Sequence, residues 1–356
     1  MNDDCRIGLL SDYAAHAKSR LPAAVWHYLQ DGGIGRNERA LSTWDIVPRP
    51  PVDVRGGSTA ITLFGESLDH PILLAPVAYQ GLFHADGEAT CAAAAAAQGG
   101  QMLVSSLASR SFAEIAQAAN AVEGAAPWFQ LYWQGNREAT ARLLDRALAA
   151  GFFTVVFTID APIKRATMAL PPAVRAVNLD VGESQLKVDP GASEVFDGWM
   201  AQAPTWEDVD CLRKQVGKRP LVLKGVLHPD DAERAIAAGC DGVAISNHGL
   251  RVLSAAPTSI RALERNALRI DGRVPILVDG GVRSGNDVFI ALALGASGVM
   301  IGRPAIWGLA ADGALGVARV IRLLRDEFEM TMALAGCARI ADITSDRVDR
   351  DPDRMS

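Results

Sequence analysis

Cysteine is scarce and scattered. The 356-residue chain has five (Cys5, Cys91, Cys211, Cys240, Cys337), an odd number with no CxxC pair. Neither a disulfide framework nor a zinc site follows from such a set, so reduced, buried thiols and no metal are expected. Positive charge is also in deficit: 35 Lys and Arg against 41 Asp and Glu leave a formal charge of −6. That balance argues against general nucleic-acid binding, which needs net positive charge to displace counterions. No uncharged apolar run reaches the length of about eighteen residues that a membrane span needs, and none is expected. The opening residues, MNDDCRIGLLSDYAAH, lack the basic start of a signal peptide, so a cytoplasmic location is expected.

What is present is apolar substance: 49% hydrophobic residues with 21% charged, enough to bury a large core. Length alone allows two ordinary domains or one large barrel. Eight short apolar runs read as strands: 71-PILLAPV, 101-QMLVSS, 127-PWFQLY, 153-FTVVFTID, 220-PLVLKG, 242-GVAISN, 275-PILVDGG and 298-GVMIGRP. Runs this continuously apolar suit parallel strands covered on both faces. Between them lie helical patterns such as 136-NREATARLLDRALAAG and 229-PDDAERAIAAG, opening on Asn or Pro and closing on Gly. The expected fold is α/β, a (β/α)8 TIM barrel, within a single domain over 1–356. A doubly wound open sheet competes, and the count of eight disfavours it.

Three segments fall outside the strand–helix rhythm. Residues 1–70, with the polar run 30-QDGGIGRNER, are expected to form a helical cap over one barrel end, ahead of a barrel at 71–340. Residues 163–205 make a long connection after the fourth strand, broken by Pro171, Pro172 and Gly191, as lids are. The tail 341–356 is charged and expected to fray.

In such a barrel the reacting groups project from the carboxyl ends of the strands. Those ends carry Gln130 and Tyr132, Thr158 and Asp160, Lys224, 246-SNHGLR, 279-DGGVRSG and 302-GRP. Polar and charged residues therefore gather at one rim although the strands are apolar. The glycine turns after strands seven and eight stand where barrels hold a phosphate on backbone N–H groups, and Arg283 and Arg303 add charge. Glycines after strands also serve simply as turns. His248 follows a strand end on the same rim as Asp160, a pairing suited to a general base and its orienting carboxylate. Arg251 offers a fork for a substrate carboxylate, or one half of a structural ion pair. Lys224 could be a Schiff-base nucleophile, a fixed cation beside a developing anion, or a snorkelling strand-end lysine.

Taken together, 242-GVAISNHGLR and 279-DGGVRSGNDVFIALALGA with 302-GRP resemble the FMN-dependent 2-hydroxy acid oxidases and dehydrogenases. Supporting pieces are 76-PVAYQGLFHADGE, 128-WFQLYW, 155-VVFTIDAP and 222-VLKGV, and the likeness runs from about residue 10 to 340. Tyr79, Phe83, Trp128 and Trp133 stand in wording similar to the 4-hydroxymandelate oxidase branch. The resemblance implies FMN as cofactor and oxidation of an (S)-2-hydroxy acid to the 2-oxo acid. It makes His248 the base and Asp160 its partner, with hydride passing to flavin N5; a carbanion route uses the same residues. Arg251 and Tyr28 would hold the substrate carboxylate, with Tyr132 near its hydroxyl. Lys224 would face the flavin N1 and O2 edge, and Ser105, Gln130, Thr158 and Ser246 the ring or ribityl chain. Asp279, Gly280, Gly281, Arg283, Gly302 and Arg303 would hold ribityl and phosphate. The backbone of Ala75, Pro76, Val77 and Ala78 would lie against the ring near N5. Oxygen or a quinone is implied as electron acceptor, and a homotetramer as the assembly.

Several positions depart from the family pattern. After Pro162 the family's Gly-Arg-Arg type run is replaced by a shortened 163-IKRATMALPP, where Arg165 either substitutes for the second arginine or leaves that contact missing. Leu250 stands where Gly or Ala is usual, Ser254 where an aspartate is, Leu107 where an aromatic is common, and Val77 where threonine is. Leu107 and the shortened lid leave room for a ring, which favours mandelate-type substrates over glycolate. Alternatives are a flavin barrel with altered or lost catalysis, a flavin-dependent isomerase of isoprenyl diphosphates, and a phosphosugar-binding barrel without flavin.

Overall fold

The computed structural model describes residues 8–162, 169–180 and 188–351. All eight apolar runs are strands: β1 (Ile72–Leu74), β2 (Gln101–Ser105), β3 (Trp128–Tyr132), β4 (Val155–Thr158), β5 (Leu221–Val226), β6 (Gly242–Ile245), β7 (Ile276–Asp279) and β8 (Gly298–Ile301). They pair in parallel and close, with Val299 of β8 opposite Ile72 of β1. The fold is a (β/α)8 barrel.

Each strand has two apolar faces because each face meets a different core. Leu73, Leu103, Trp128, Val156, Val222, Ala244, Leu277 and Met300, one from each strand, fill the barrel interior. Their neighbours Leu74, Val104, Phe129, Phe157, Leu223, Val243, Val278 and Val299 point outward under the helices. The helices start as their sequence requires. Ser111 accepts from Glu114 N in a capping box, Asn136 caps Arg137–Ala149, and Ser284 caps Gly285–Ala293. The helix Arg303–Leu334 is long and apolar enough, by length and composition, to cross a bilayer. It is interrupted at Asp312 and Gly313, and its Ile306, Leu309, Val320, Ile321 and Leu324 are buried in the core.

The expectation of a cap over one end needs correction, because residues 8–70 serve both. Helix Leu10–Arg20 comes first, and Ala23–Gln30 and Arg36–Leu41 flank the segment that reaches the carboxyl-end rim. The hairpin Ile61–Leu63 with Glu66–Leu68 plugs the opposite end, packing Leu63, Phe64 and Leu68 on the interior layer. Phe64 meets the Trp128 ring edge-on at 5.3 Å, and Glu66 Oε2 accepts from Trp128 Nε1 at 3.0 Å and Gln101 Nε2 at 2.9 Å.

The tail also departs from expectation. Val348–Arg350 pairs antiparallel with Trp44–Ile46, and Asp351 N donates to Thr43 O at 2.9 Å. A three-residue polar strand carries no periodic signal, so only its distant partner reveals it. The connection after β4 is partly described. Val177 N donates to Ala108 O, and buried Asn178 bonds Phe112 N and Arg110 O. Asp180 pairs with Arg142 and Arg146. This stretch is thereby fastened to the loop after β2. Residues 163–168 and 181–187, Arg165 among them, lie outside the described residues.

His70, fully buried, donates from Nε2 to Gln98 O at 3.1 Å and accepts at Nδ1 from Ile72 N at 3.3 Å. Burial, aided by the nearby Arg325, lowers its pKa to about 4. The unfolded chain binds this proton near pH 6.5, so stability present above that pH is lost as pH falls toward 4, by about 3 kcal/mol. Urea midpoints at about pH 7 and about pH 4.5 test this: His70→Asn is expected to lose clearly less stability on acidification than the wild type, and equal losses would remove His70 as the titrating group.

Candidate active site

One cleft of 260 Å³ opens at the carboxyl ends of the strands. It is lined by Ala75, Pro76, Val77 and Ala78 after β1, Ser105 and Leu107 after β2, and Tyr132 and Ala161. Lys224, His248, Arg251, Asp279, Gly280, Gly281, Arg283, Gly302 and Arg303 complete the floor and far wall, and Tyr28 and Asp31 close it from the cap. Gln130, Thr158, Asp160 and Ser246 stand beside this lining at the same strand ends, Asp160 against His248 and Ser246 against Lys224.

A buried charge organises the floor. Lys224 is 3% exposed; its Nζ donates to Ser246 Oγ at 2.8 Å and lies 3.2 Å from Asp279 Oδ2. Burial alone would lower its pKa, but Asp279 and Asp160 outweigh that, and the net direction is upward. Ser246 Oγ in turn donates to Asp279 Oδ2 at 2.8 Å and accepts from His248 N at 3.1 Å. This arrangement suits a fixed cation, not a neutral nucleophilic amine.

Beside it, His248 Nδ1 lies 3.2 Å from Asp160 Oδ1. A carboxylate there keeps the proton on Nδ1 and leaves the Nε2 lone pair for the cleft, where Tyr132 Oη stands at 3.2 Å. Burial would raise the Asp160 pKa, yet the His248 hydrogen bond and the Lys224 charge hold it below the usual carboxylate range. The Tyr132 phenol is pushed up by burial and by Asp160, so it stays protonated. Gly225 makes room for this carboxylate: it sits at φ +98 in a β5 bulge, and a Cβ there would stand 2.6 Å from Asp160 Cγ. His248, Gly249 and Leu250 all adopt left-handed φ, of 55°, 63° and 62°, a run that costs the two non-glycine residues about 1 kcal/mol each.

The cap supplies contacts that sequence patterns do not show. Arg251 Nη1 donates to Tyr28 O at 2.9 Å and Asp31 O at 3.3 Å, with the guanidinium 5.0 Å above the Tyr28 ring. Arg303 donates to Leu29 O at 3.1 Å and to the same Asp31 O at 2.7 Å. Burial lowers the Arg303 pKa to about 10, with Arg283 and Arg251 adding to the effect. Arg283 is lowered by burial as well, and donates to Glu38 at 2.8 Å. Buried Asn37 exchanges amide hydrogen bonds with Asn247 at 2.8 and 3.0 Å and crowds Gly280 and Gly281. Asp31, Glu38, Asn37 and Asn247 are thus site-building residues that motif reading passed over. The polar run 30-QDGGIGRNER was the signal for Asp31, Asn37 and Glu38, and Asn247 stood unassigned within 246-SNHGLR.

The residues present fit a flavin mononucleotide. Gln130 donates to Thr158 Oγ1 at 2.9 Å, but its Oε1, Asp160 Oδ2 and Asp279 Oδ1 are buried without hydrogen-bond partners among the described residues. Buried acceptors left over at a cleft await donors such as ring N–H and ribityl hydroxyl groups. Gly280 and Gly281, at φ +97 and +91, bring backbone to the cleft beside two half-buried arginines, the setting for a phosphate.

Comparisons agree with this fit. A family model described as FMN-dependent dehydrogenase matches residues 17–350. An L-lactate oxidase from Alicycliphilus denitrificans is 43% identical, over 89% of this chain and 88% of its own length. Glycolate oxidase 1 from Oryza sativa subsp. indica is 38% identical over 97% and 96%. A mandelate oxidase structure with (S)-4-hydroxymandelic acid is 38% identical with a TM-score of 0.84, covering 96% of this chain and 98% of that one. The chain belongs to the FMN-dependent dehydrogenase family. FMN is its cofactor.

Arg303→Ala is expected to weaken FMN binding at least about tenfold, by removal of a charge-assisted donor from the phosphate end. Fluorescence titration of deflavinated protein with FMN measures this, and an unchanged dissociation constant would take Arg303 out of the phosphate site.

Proposed function

We propose that this protein oxidises (S)-2-hydroxy acids of mandelate type to the 2-oxo acids. The observation that carries the reading is the convergence, in one cleft, of a carboxylate-oriented imidazole, a protonated phenol, a fork-shaped cation and a buried lysine. Bound FMN supplies the redox chemistry, taking up two electrons and the substrate's α-hydrogen.

The chain's own residues do the rest. Arg251 and Tyr28 hold the substrate carboxylate, since a guanidinium offers two donors in the plane that a carboxylate needs. The Tyr132 phenol stays protonated and donates to the substrate hydroxyl. His248 Nε2 removes that hydroxyl proton, and Asp160, ionised at neutral pH, offsets the imidazolium that results. Lys224 would hold the N1 and O2 edge of the ring, where its buried positive charge would offset negative charge developing there. Ser105, Gln130, Thr158 and Ser246 hold the ring and ribityl chain, and Asp279, Gly280, Gly281, Arg283, Gly302 and Arg303 the ribityl and phosphate. The backbone of Ala75–Ala78, which lines the cleft, would lie along the ring.

Preference for an aromatic acid is supported by the cleft wall, where Leu107, Ala161 and Val252 stand with Tyr28 and Tyr79. An apolar wall with a methyl-sized residue accommodates a phenyl ring and gives a two-carbon acid little to bind. The mandelate oxidase structures, one of them with benzoyl-formic acid, support the same class.

Anaerobic addition of (S)-mandelate, (S)-lactate and glycolate to the yellow holoprotein is expected to bleach the flavin with mandelate preferred. Failure of all three would instead favour a flavin barrel with altered or lost catalysis. Readmitted air then separates an oxidase, which recolours promptly, from an enzyme that needs a quinone or another carrier.

His248→Ala is expected to retain FMN and lose at least about a hundredfold in turnover, the lower range for a general base. Near-normal turnover would dismiss it as the base. Arg251→Lys is expected to raise KM for mandelate about tenfold or more, because one ammonium cannot reproduce the fork; unchanged kinetics would count against the carboxylate role.

A further inference from the structure

Leu250 is the oddest residue in the site. It is 2% exposed yet holds a left-handed backbone, φ 62°, that a leucine adopts only under constraint. Glycine would take the conformation freely. The residues that follow it, Val252 and Leu253, are 49% and 62% exposed, so the loop is not generally buried.

The constraint comes from the cap. Gly33 lies so close that a Cβ on it would stand 2.5 Å from Leu250 Cδ1 and 2.9 Å from Leu250 Cβ. Gly32, at φ +108, is as close to the neighbouring residues: a Cβ there would meet Gly249 O at 2.5 Å and Arg251 Cγ at 3.0 Å. Gly33 is the socket and Leu250 the knob in it, while Gly32 lets the Gly249 carbonyl and Arg251 close in beside it. Tyr28 and Asp31, just before these glycines in the chain, supply the carbonyls that hold Arg251 Nη1. A side chain large enough to fix the distance between cap and loop thus stands immediately before the guanidinium that the cap orients.

We propose that Leu250 is a positioning residue: keyed against Gly33, with Gly32 admitting the neighbouring Gly249 carbonyl and Arg251, it docks the cap on the loop after β6 and thereby sets the guanidinium of Arg251 for its ligand. The consequence for substrate binding rests on the proposed carboxylate role of Arg251; the docking itself does not. An unkeyed loop leaves Arg251 mobile and turns its cap hydrogen bonds into one of several arrangements. Substrate binding then bears the cost of reordering it. The base is set separately, because His248 is held by Asp160 and by Ser246, which do not touch the socket. The effect should therefore fall on KM and leave kcat.

Leu250→Gly tests this well, because glycine suits the backbone and its loss of packing is partly offset by relief of strain. In the FMN-loaded protein without substrate, phenylglyoxal is expected to modify Arg251 of Leu250→Gly about fivefold faster than wild type, read by mass spectrometry. With (S)-mandelate, KM is expected to rise about tenfold while kcat stays within about twofold and the flavin spectrum is unchanged. The double variant Gly33→Ala with Leu250→Gly puts a methyl into the vacated socket and is expected to bring the modification rate back toward wild type. A wild-type modification rate in Leu250→Gly, or no recovery in the double variant, would overturn the docking role. A faster modification with an unchanged KM would overturn its consequence for substrate. Arg251→Lys serves as the control: if it too leaves KM unchanged, the carboxylate role of Arg251 has failed, and the phenylglyoxal rates still decide the docking.

Discussion

A full positive charge with almost no water around it sits at the top of the barrel, and the site is built to accommodate it. An isolated ammonium in that position would cost several kcal/mol after relaxation. Lys224 avoids this through Asp279, Ser246 and the more distant Asp160, drawn from β5, β6, β7 and the end of β4. Each partner is itself buried and needs the others, so none can be moved alone. The backbone N–H of His248 bonds the same serine hydroxyl, which ties the imidazole's position to the charge network instead of to its own loop. Strand order thus becomes electrostatics: only a closed parallel barrel brings four successive strand ends within hydrogen-bond reach.

The cap solves a second problem of charge. An acidic chain has gathered three cations, Arg251, Arg283 and Arg303, within one cleft wall, where they repel one another. The helix Ala23–Gln30 ends there, and main-chain carbonyls at and just past its C-terminus accept from two of the three arginines. A helix C-terminus carries partial negative charge, so it is a neutral-bodied counterion. The third arginine is met by Glu38 of the next cap helix. Without its cap the rim would be a cluster of like charges, and with it the same side chains are preoriented donors.

The strand positions and the residues that close them were legible because both obey short-range rules: continuous apolar runs, then a polar break. The catalytic candidates lie at those breaks, so a one-dimensional pattern found them. What escaped notice depends on pairs far apart in sequence. Neither Asn37 nor Asn247 announces its partner, and only together do they make a two-bond clasp between the cap and the loop after β6. The hairpin at Glu66 resembles any surface turn until Trp128 is found donating to it. Val348–Arg350 is too short and polar to read as a strand. Asp31 acts chiefly through its carbonyl, which every residue has, so no residue type could have announced it.

Local rules are broken most densely at one place, the three left-handed residues His248, Gly249 and Leu250. A sequence optimised for stability alone would put glycine or asparagine there. The run lets two cleft-lining side chains, the imidazole and the guanidinium, arise three residues apart on one short loop. Such a loop could relax toward ordinary backbone unless something larger opposes it. On one side the opposition is the Asp160 and Ser246 hydrogen bonds to His248; on the other it is Leu250 against the glycine socket. The departure at Leu250 and the glycine pair at 32 and 33 are therefore one feature. Each is unfavourable alone, the leucine for its φ and the glycines for their entropy. Their combination converts two local penalties into a fixed distance between the cap and the loop after β6.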